Sequence, residues 1–136
     1  MDPRAARGEV REGEVESRKQ KAEMDLKDRT RRFSLRIIRL SDALPSNRAA
    51  DVIARQVIRS GTSPGAHFRE ALRARSKAEY VAKMNSGLME LEETLYWLEL
   101  VGEAKYVNPE RLAALAREAR ELTAIFVTLI KKWRSR

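Results

Sequence analysis

The sequence predicts an all-α fold, an antiparallel up-down-up-down four-helix bundle with a long, kinked second helix. Three observations predict it. Apolar residues recur at alternating steps of three and four, which places them on one face of a helix. Only 6 Gly and 4 Pro interrupt a chain of 136 residues in which 43% are apolar and 35% charged, a balance suited to amphipathic helices. Strong helix-start signals recur close behind the ends of these stripes, so the connections are short, and short connections force neighbouring helices to run antiparallel.

Residues 1–26 carry six basic and seven acidic residues and almost no large side chain, so they read as a flexible charged tail preceding a single domain over residues 27–136. The first helix is expected from about Lys27 to Ala43, with Phe33, Ile37, Leu40 and Leu44 along one face. Pro45-Ser46-Asn47 ends it. A second helix starts with Ser46 or Asn47 as its cap and shows Ala49, Val52, Ile53, Gln56 and Val57 at helical spacing. Ser60-Gly61-Thr62-Ser63-Pro64-Gly65 holds poor helix formers, yet the stripe resumes in register at Phe68, Ala71 and Leu72, which favours one helix kinked near Pro64. Ser76 and Glu79 have the spacing of a capping box. The third helix follows from there through Tyr80, Met84, Leu88, Leu91, Leu95 and Leu98 to about Glu103. Asn108-Pro109-Glu110 combines a cap, a first-turn proline and an acid at the positive end of the helix dipole. The fourth helix carries the clearest stripe, Leu112, Leu115, Ala119, Leu122, Phe126, Leu129 and Trp133.

The formal charge is +8, and the balanced tail leaves all of it to the domain. In an antiparallel bundle the start of the first helix, the second connection and the end of the fourth helix share one end. All three are basic: Lys27, Arg29, Arg31 and Arg32 in the first, Arg69, Arg73, Arg75 and Lys77 in the second, Lys131, Lys132, Arg134 and Arg136 in the third. Such a pole suits phosphate contacts, where each neutralised phosphate releases a counterion. Dipole complementation and a solvated basic face account for the same charges without a ligand.

The residue inventory speaks against catalysis. With no Cys there is neither a disulfide framework nor a thiolate metal site, which fits a reducing, cytoplasmic setting. The longest apolar stretch, around Ala124 to Ile130, is too short to cross a bilayer. His67 is the single His and follows no metal or dyad pattern, so it reads as a polar residue packed at the kink. Glu90, Glu92 and Glu93 spread around the third helix and call for ordinary Arg or Lys partners, while Gly61 to Gly65 lacks the Gly-Lys-Ser/Thr of a phosphate loop. No cofactor and no enzyme activity are expected. Leu35, Ile38, Met89, Tyr96, Trp97 and Val101 form an apolar set outside the predicted core stripes, fitting either a wide core face or an interface between subunits.

Several segments carry a family resemblance: Leu44-Pro45, Arg55 to Ser60, Thr62 to Ala71, and Glu93-Thr94-Leu95-Tyr96-Trp97-Leu98. Together they resemble the four-helix-bundle proteins encoded in intervening sequences of 23S ribosomal RNA genes. Arg59, Ser60, Ser63, Glu70 and Ala71 match the family's central motif, and His67 stands where the family usually has Asn. The resemblance implies a second helix continuous through the Ser-Pro region and a ring-shaped homo-oligomer, a pentamer. It also brings in a distant relative, the accessory variability protein of diversity-generating retroelements, a basic pentamer that works with a reverse transcriptase and its RNA. The expected function is therefore a non-enzymatic, oligomeric bundle that binds RNA or DNA backbone through a basic pole, as an accessory to a nucleic-acid enzyme. The alternative is a protein-interaction scaffold with no nucleic-acid role.

Overall fold

The computed structural model describes residues 11–136, which form four helices and no strand. They are α1 (Glu12–Ala43), α2 (Arg48–Leu72), α3 (Lys77–Glu103) and α4 (Pro109–Arg134). Each helix packs against the next in sequence, and α4 returns to α1, while the backbones of α1 and α3 stay apart across the bundle. The bundle is thus antiparallel, with the N-terminal part of α1, the α2–α3 turn and the end of α4 at one pole.

The caps explain where the helices begin. Asn47 accepts a hydrogen bond from the Ala50 amide at 2.9 Å, and Asn108 accepts one from the Glu110 amide at 2.8 Å. The Ser76 hydroxyl accepts from the Glu79 amide at 3.1 Å, and the Glu79 carboxylate accepts in return from the Arg75 amide at 3.1 Å, one residue ahead of the cap. At the far end of α1, Leu44 is extended, as the residue before a proline prefers.

The expected tail and first-helix boundary need correction, because α1 begins at Glu12 and not near Lys27. Residues 1–10 of the expected tail lie outside the described residues. Large apolar side chains are indeed scarce before Leu26, but Glu, Arg, Lys, Gln and Ala are all strong helix formers, and Leu26 itself is buried. The first-turn acids Glu12 and Glu14 favour the positive end of the dipole. At 1.5 Å per residue, α1 is about 48 Å long, against about 40 Å for α4.

Helix α2 is uninterrupted from Arg48 to Leu72 and carries Pro64 in its interior. Its serines and threonines are accommodated by bonding back to their own helix: Thr62 donates to the Ile58 carbonyl at 2.7 Å and Ser63 to the Arg59 carbonyl at 2.5 Å. The glycines serve close helix approach. A Cβ on Gly61 would stand 2.7 Å from two side-chain carbons of Ile37 on α1, and one on Gly87 of α3 would stand 2.6 Å from the Phe126 ring on α4. These contacts define a tight waist. Its core holds Phe33, Ile37, Val57, Phe68, Met84, Leu91, Leu122 and Phe126, all essentially inaccessible to solvent. Ser60 and Thr94, both buried, join α2 to α3 through a 2.9 Å hydrogen bond donated by Thr94.

In α4 the buried stripe runs Leu112, Leu115, Ala119, Leu122, Phe126 and then Ile130, where the sequence pattern placed Leu129. An α-helix gains about 20° per heptad on a seven-residue repeat, so a stripe held for three turns drifts off the core. Leu129 and Trp133 consequently turn aside at the pole, where they are only partly buried.

Candidate nucleic-acid interface

The predicted basic residues do converge on one pole, but they separate into two groups. Arg29 is half-buried between α1 and α4 and bonds to Glu118 and Glu121, the latter at 2.8 Å. The Glu118 hydrogen bond raises its pKa further above the usual value, so it is a fixed interhelical clasp. Arg31 and Arg32 both pair with Asp28 of their own helix, at 2.6 and 3.0 Å, and the Arg31 hydrogen bond holds that carboxyl below its usual pKa. Because α1 starts fifteen residues earlier than expected, these arginines lie along its flank and not at its tip. Their expected place among the free cations of the pole is corrected accordingly.

The second group is exposed. Arg69 and Arg73 end α2, Arg75 and Lys77 form the turn into α3, and Lys131, Lys132 and Arg134 occupy the last turn of α4. Among the described residues none of them has a carboxylate ion-pair partner, and Lys77 donates to the Arg136 backbone carbonyl. Lysines and arginine at the end of α4 also complement the negative end of its dipole.

Beside the clasp, at the pole ends of α1 and α4, lies a groove of about 650 Å³. Arg29, Arg75, Lys77, Lys132 and Arg136 line it together with Lys19, which the sequence reading did not single out. Against these six cations stand two carboxylates, Glu23 and Asp25, on the α1 wall. Its apolar surface includes Leu26, Phe68, Ile125, Leu129 and Trp133. Tyr80 stacks on Trp133 with ring centroids 4.2 Å apart and planes inclined by 23°. Burial, followed by the nearby Glu23 charge, pushes the Tyr80 hydroxyl above its usual pKa, so the stack stays neutral at physiological pH. The groove was missed because α1 was expected to begin at Lys27. The four-residue steps from Ala22 to Leu26 to Thr30 were the available signal.

The apolar set outside the predicted stripes also divides. Leu35 and Ile38 on α1, and Met89 and Tyr96 on α3, are exposed, at 39%, 40%, 68% and 52%. Trp97 is half-buried and donates to Glu93 at 3.0 Å. Val101 is fully buried and belongs to the core, a correction to its place in the interface set. It lies three residues beyond Leu98, so the α3 core stripe continues through it to the end of the helix. Glu90 and Glu93 find the arginine partner their spacing required, both pairing with Arg59 of α2. His67 is half-buried with Nδ1 unbonded and 3.8 Å from Glu70. No group of His, Cys, Asp or Glu among the described residues could hold a metal ion, and no described helix is long and apolar enough to cross a membrane.

The geometry defines a class: helical bundles with one cationic pole and no assembled catalytic group among the described residues. A solved structure shares the fold, a protein of unknown function from the S23 ribosomal protein family of Bacteroides thetaiotaomicron, with 36% sequence identity and a TM-score of 0.74. The match covers 78% of this chain and 98% of that one. The chain belongs to the 23S rRNA-intervening sequence protein family, whose profile matches residues 22–128. No curated protein sequence matches it. The family match starts before Lys27, in keeping with a bundle that already includes Leu26.

Proposed function

We propose that this protein is a non-enzymatic, oligomeric bundle that binds the backbone of RNA or DNA through its basic pole, as an accessory to a nucleic-acid enzyme. The observation that carries the reading is the convergence of Arg69, Arg73, Arg75, Lys131, Lys132 and Arg134 on one end, exposed and without carboxylate partners among the described residues. Cations already paired, such as Arg29 and Arg59, have less to offer a phosphate than these do. Contacts of this kind give affinity for backbone charge without reading bases.

Oligomerisation is supported by the apolar faces. Leu35 and Ile38 sit on α1, Met89 and Tyr96 on α3, helices whose backbones do not pack side by side, so the patches come from different parts of the bundle surface. Two unlike patches suit a head-to-tail contact, which closes into a ring when the rotation permits. A pentameric ring, as the family resemblance implies, would gather several basic poles on one rim.

Titration of labelled RNA and DNA with protein of measured mass, across a series of salt concentrations, tests the reading. The expected result is an oligomer whose binding weakens steeply and log-linearly with salt. A monomer at micromolar concentration would contradict the assembly. Absence of binding at low salt would leave the interaction-scaffold reading in its place.

A further inference from the structure

We propose that the groove between the pole ends of α1 and α4 is a site for one unpaired nucleotide of a single strand, its base against Trp133 and its phosphates on the surrounding cations. This deepens the nucleic-acid reading above and rests on it. Three features of the groove support it. Its volume of about 650 Å³ lies within the roughly 300–1,000 Å³ of small-molecule sites. Its lining is aromatic, since Trp133 stacks on Tyr80 at 4.2 Å and is only partly buried. The Arg136 guanidinium carbon lies over the same indole, 5.9 Å from its centroid, so a base that stacks there takes the place of the guanidinium and leaves that cation for a phosphate.

Charge selects the occupant. An apolar groove ringed by Lys19, Arg75, Lys77, Lys132 and Arg136, beside the already paired Arg29 and two carboxylates, favours a ligand that is flat and apolar in one part and anionic in another. A nucleotide has that division, and a duplex does not present it, because its bases are stacked inside. Aromatic platforms beside basic tracks are the general means of holding single strands without reading their sequence. The drift of the α4 stripe is what frees Leu129 and Trp133 for this use.

Trp97 and Trp133 are the two tryptophans of the chain, so Trp97→Phe makes Trp133 the sole indole reporter. In that variant, a short single-stranded oligonucleotide is expected to quench Trp133 emission, and the same sequence as a duplex to leave it unchanged. In the otherwise unaltered chain, Trp133→Leu should weaken single-strand binding about ten-fold, with duplex binding unaffected, and Trp133→Phe should retain most of the affinity. Circular dichroism checks that each variant folds. The quenching experiment needs no substitution at Trp133 and stands even where that variant unfolds. Equal binding of strand and duplex with silent Trp133 emission would overturn the proposal while leaving backbone binding intact. A free mononucleotide that binds as tightly as the strand, or emission that responds only to an acidic amphipathic peptide, would also overturn it. Failure of every nucleic acid to bind would remove the underlying reading as well.

Discussion

The waist of the bundle and its basic pole are made from the same four helices yet differ in how they close. At the waist, Gly61 and Gly87 let α1 meet α2 and α3 meet α4 so closely that a single Cβ would collide with Ile37 or Phe126. At the pole, beside the Arg29 clasp, apolar side chains of α1 and α4 line an open groove instead of a sealed core. Small residues set where helices can touch, and loss of register between the α4 stripe and the core sets where they cannot. Stability therefore belongs mainly to the waist, and the proposed binding to the pole.

The sharpest way to break this contrast is to truncate one side chain in each region. Phe126→Ala, at a fully buried position, should cost about 3–5 kcal/mol in urea unfolding, whereas Leu129→Ala, three residues on and half-buried, should cost about 2 kcal/mol or less. Equal losses would mean that the groove is packed in solution. Gly61→Ala comes next. Alanine gains about 1 kcal/mol of helix propensity, but its Cβ would press on the stiff, β-branched Ile37, so a net loss of about 1–2 kcal/mol is expected. Pairing it with Ile37→Ala should give a combined loss smaller than the sum, and strict additivity would argue against the contact.

Much of this was legible in the sequence, and the reasons are specific. The starts of α3 and α4 carry side-chain caps, which are local and chemically distinct. The start of α1 has none, since Arg11 offers no capping hydrogen bond, so composition alone had to place it and placed it fifteen residues late. Positions such as Val101 and Leu129 depend on where a stripe meets its neighbour after several turns, and small drifts decide them. The fate of Arg29 was not readable at all. Its partners Glu118 and Glu121 lie about ninety residues away, and the pairing exists only once α1 lies beside α4. The glycines of the Ser-Gly-Thr-Ser-Pro-Gly segment were correctly set apart from a phosphate loop, but their service to helix contact required the facing side chains.

Smaller effects sharpen the account of the clasp and the flank. Arg29→Ala should cost about 1 kcal/mol, less at high salt, because the pair is only partly shielded from water. A loss independent of salt would assign Arg29 a packing role. On the α2 and α3 flank, Glu70 accepts from Lys83 at 2.8 Å, and that hydrogen bond holds its pKa below the usual 4.5. A depressed carboxylate stabilises the fold above its unfolded pKa, and this contribution disappears as pH falls through the folded value. The difference in urea midpoint between the parent protein and Glu70→Gln should thus be small near neutrality and vanish as pH falls through the carboxylate's lowered pKa. A difference that grows on acidification would contradict the pairing.

The central claim is that one pole, and not the overall positive charge, engages nucleic acid. It is tested most directly by reversing three charges at each end, Arg73, Lys131 and Arg134 at the basic pole and Arg48, Lys105 and Arg111 at the other, and measuring the salt dependence of oligonucleotide binding for both variants. Net charge falls equally in the two, so long-range attraction is matched. The account predicts that the first variant loses most of its affinity with a shallower salt slope, while the second stays close to the parent. Equal losses in the two variants would contradict it.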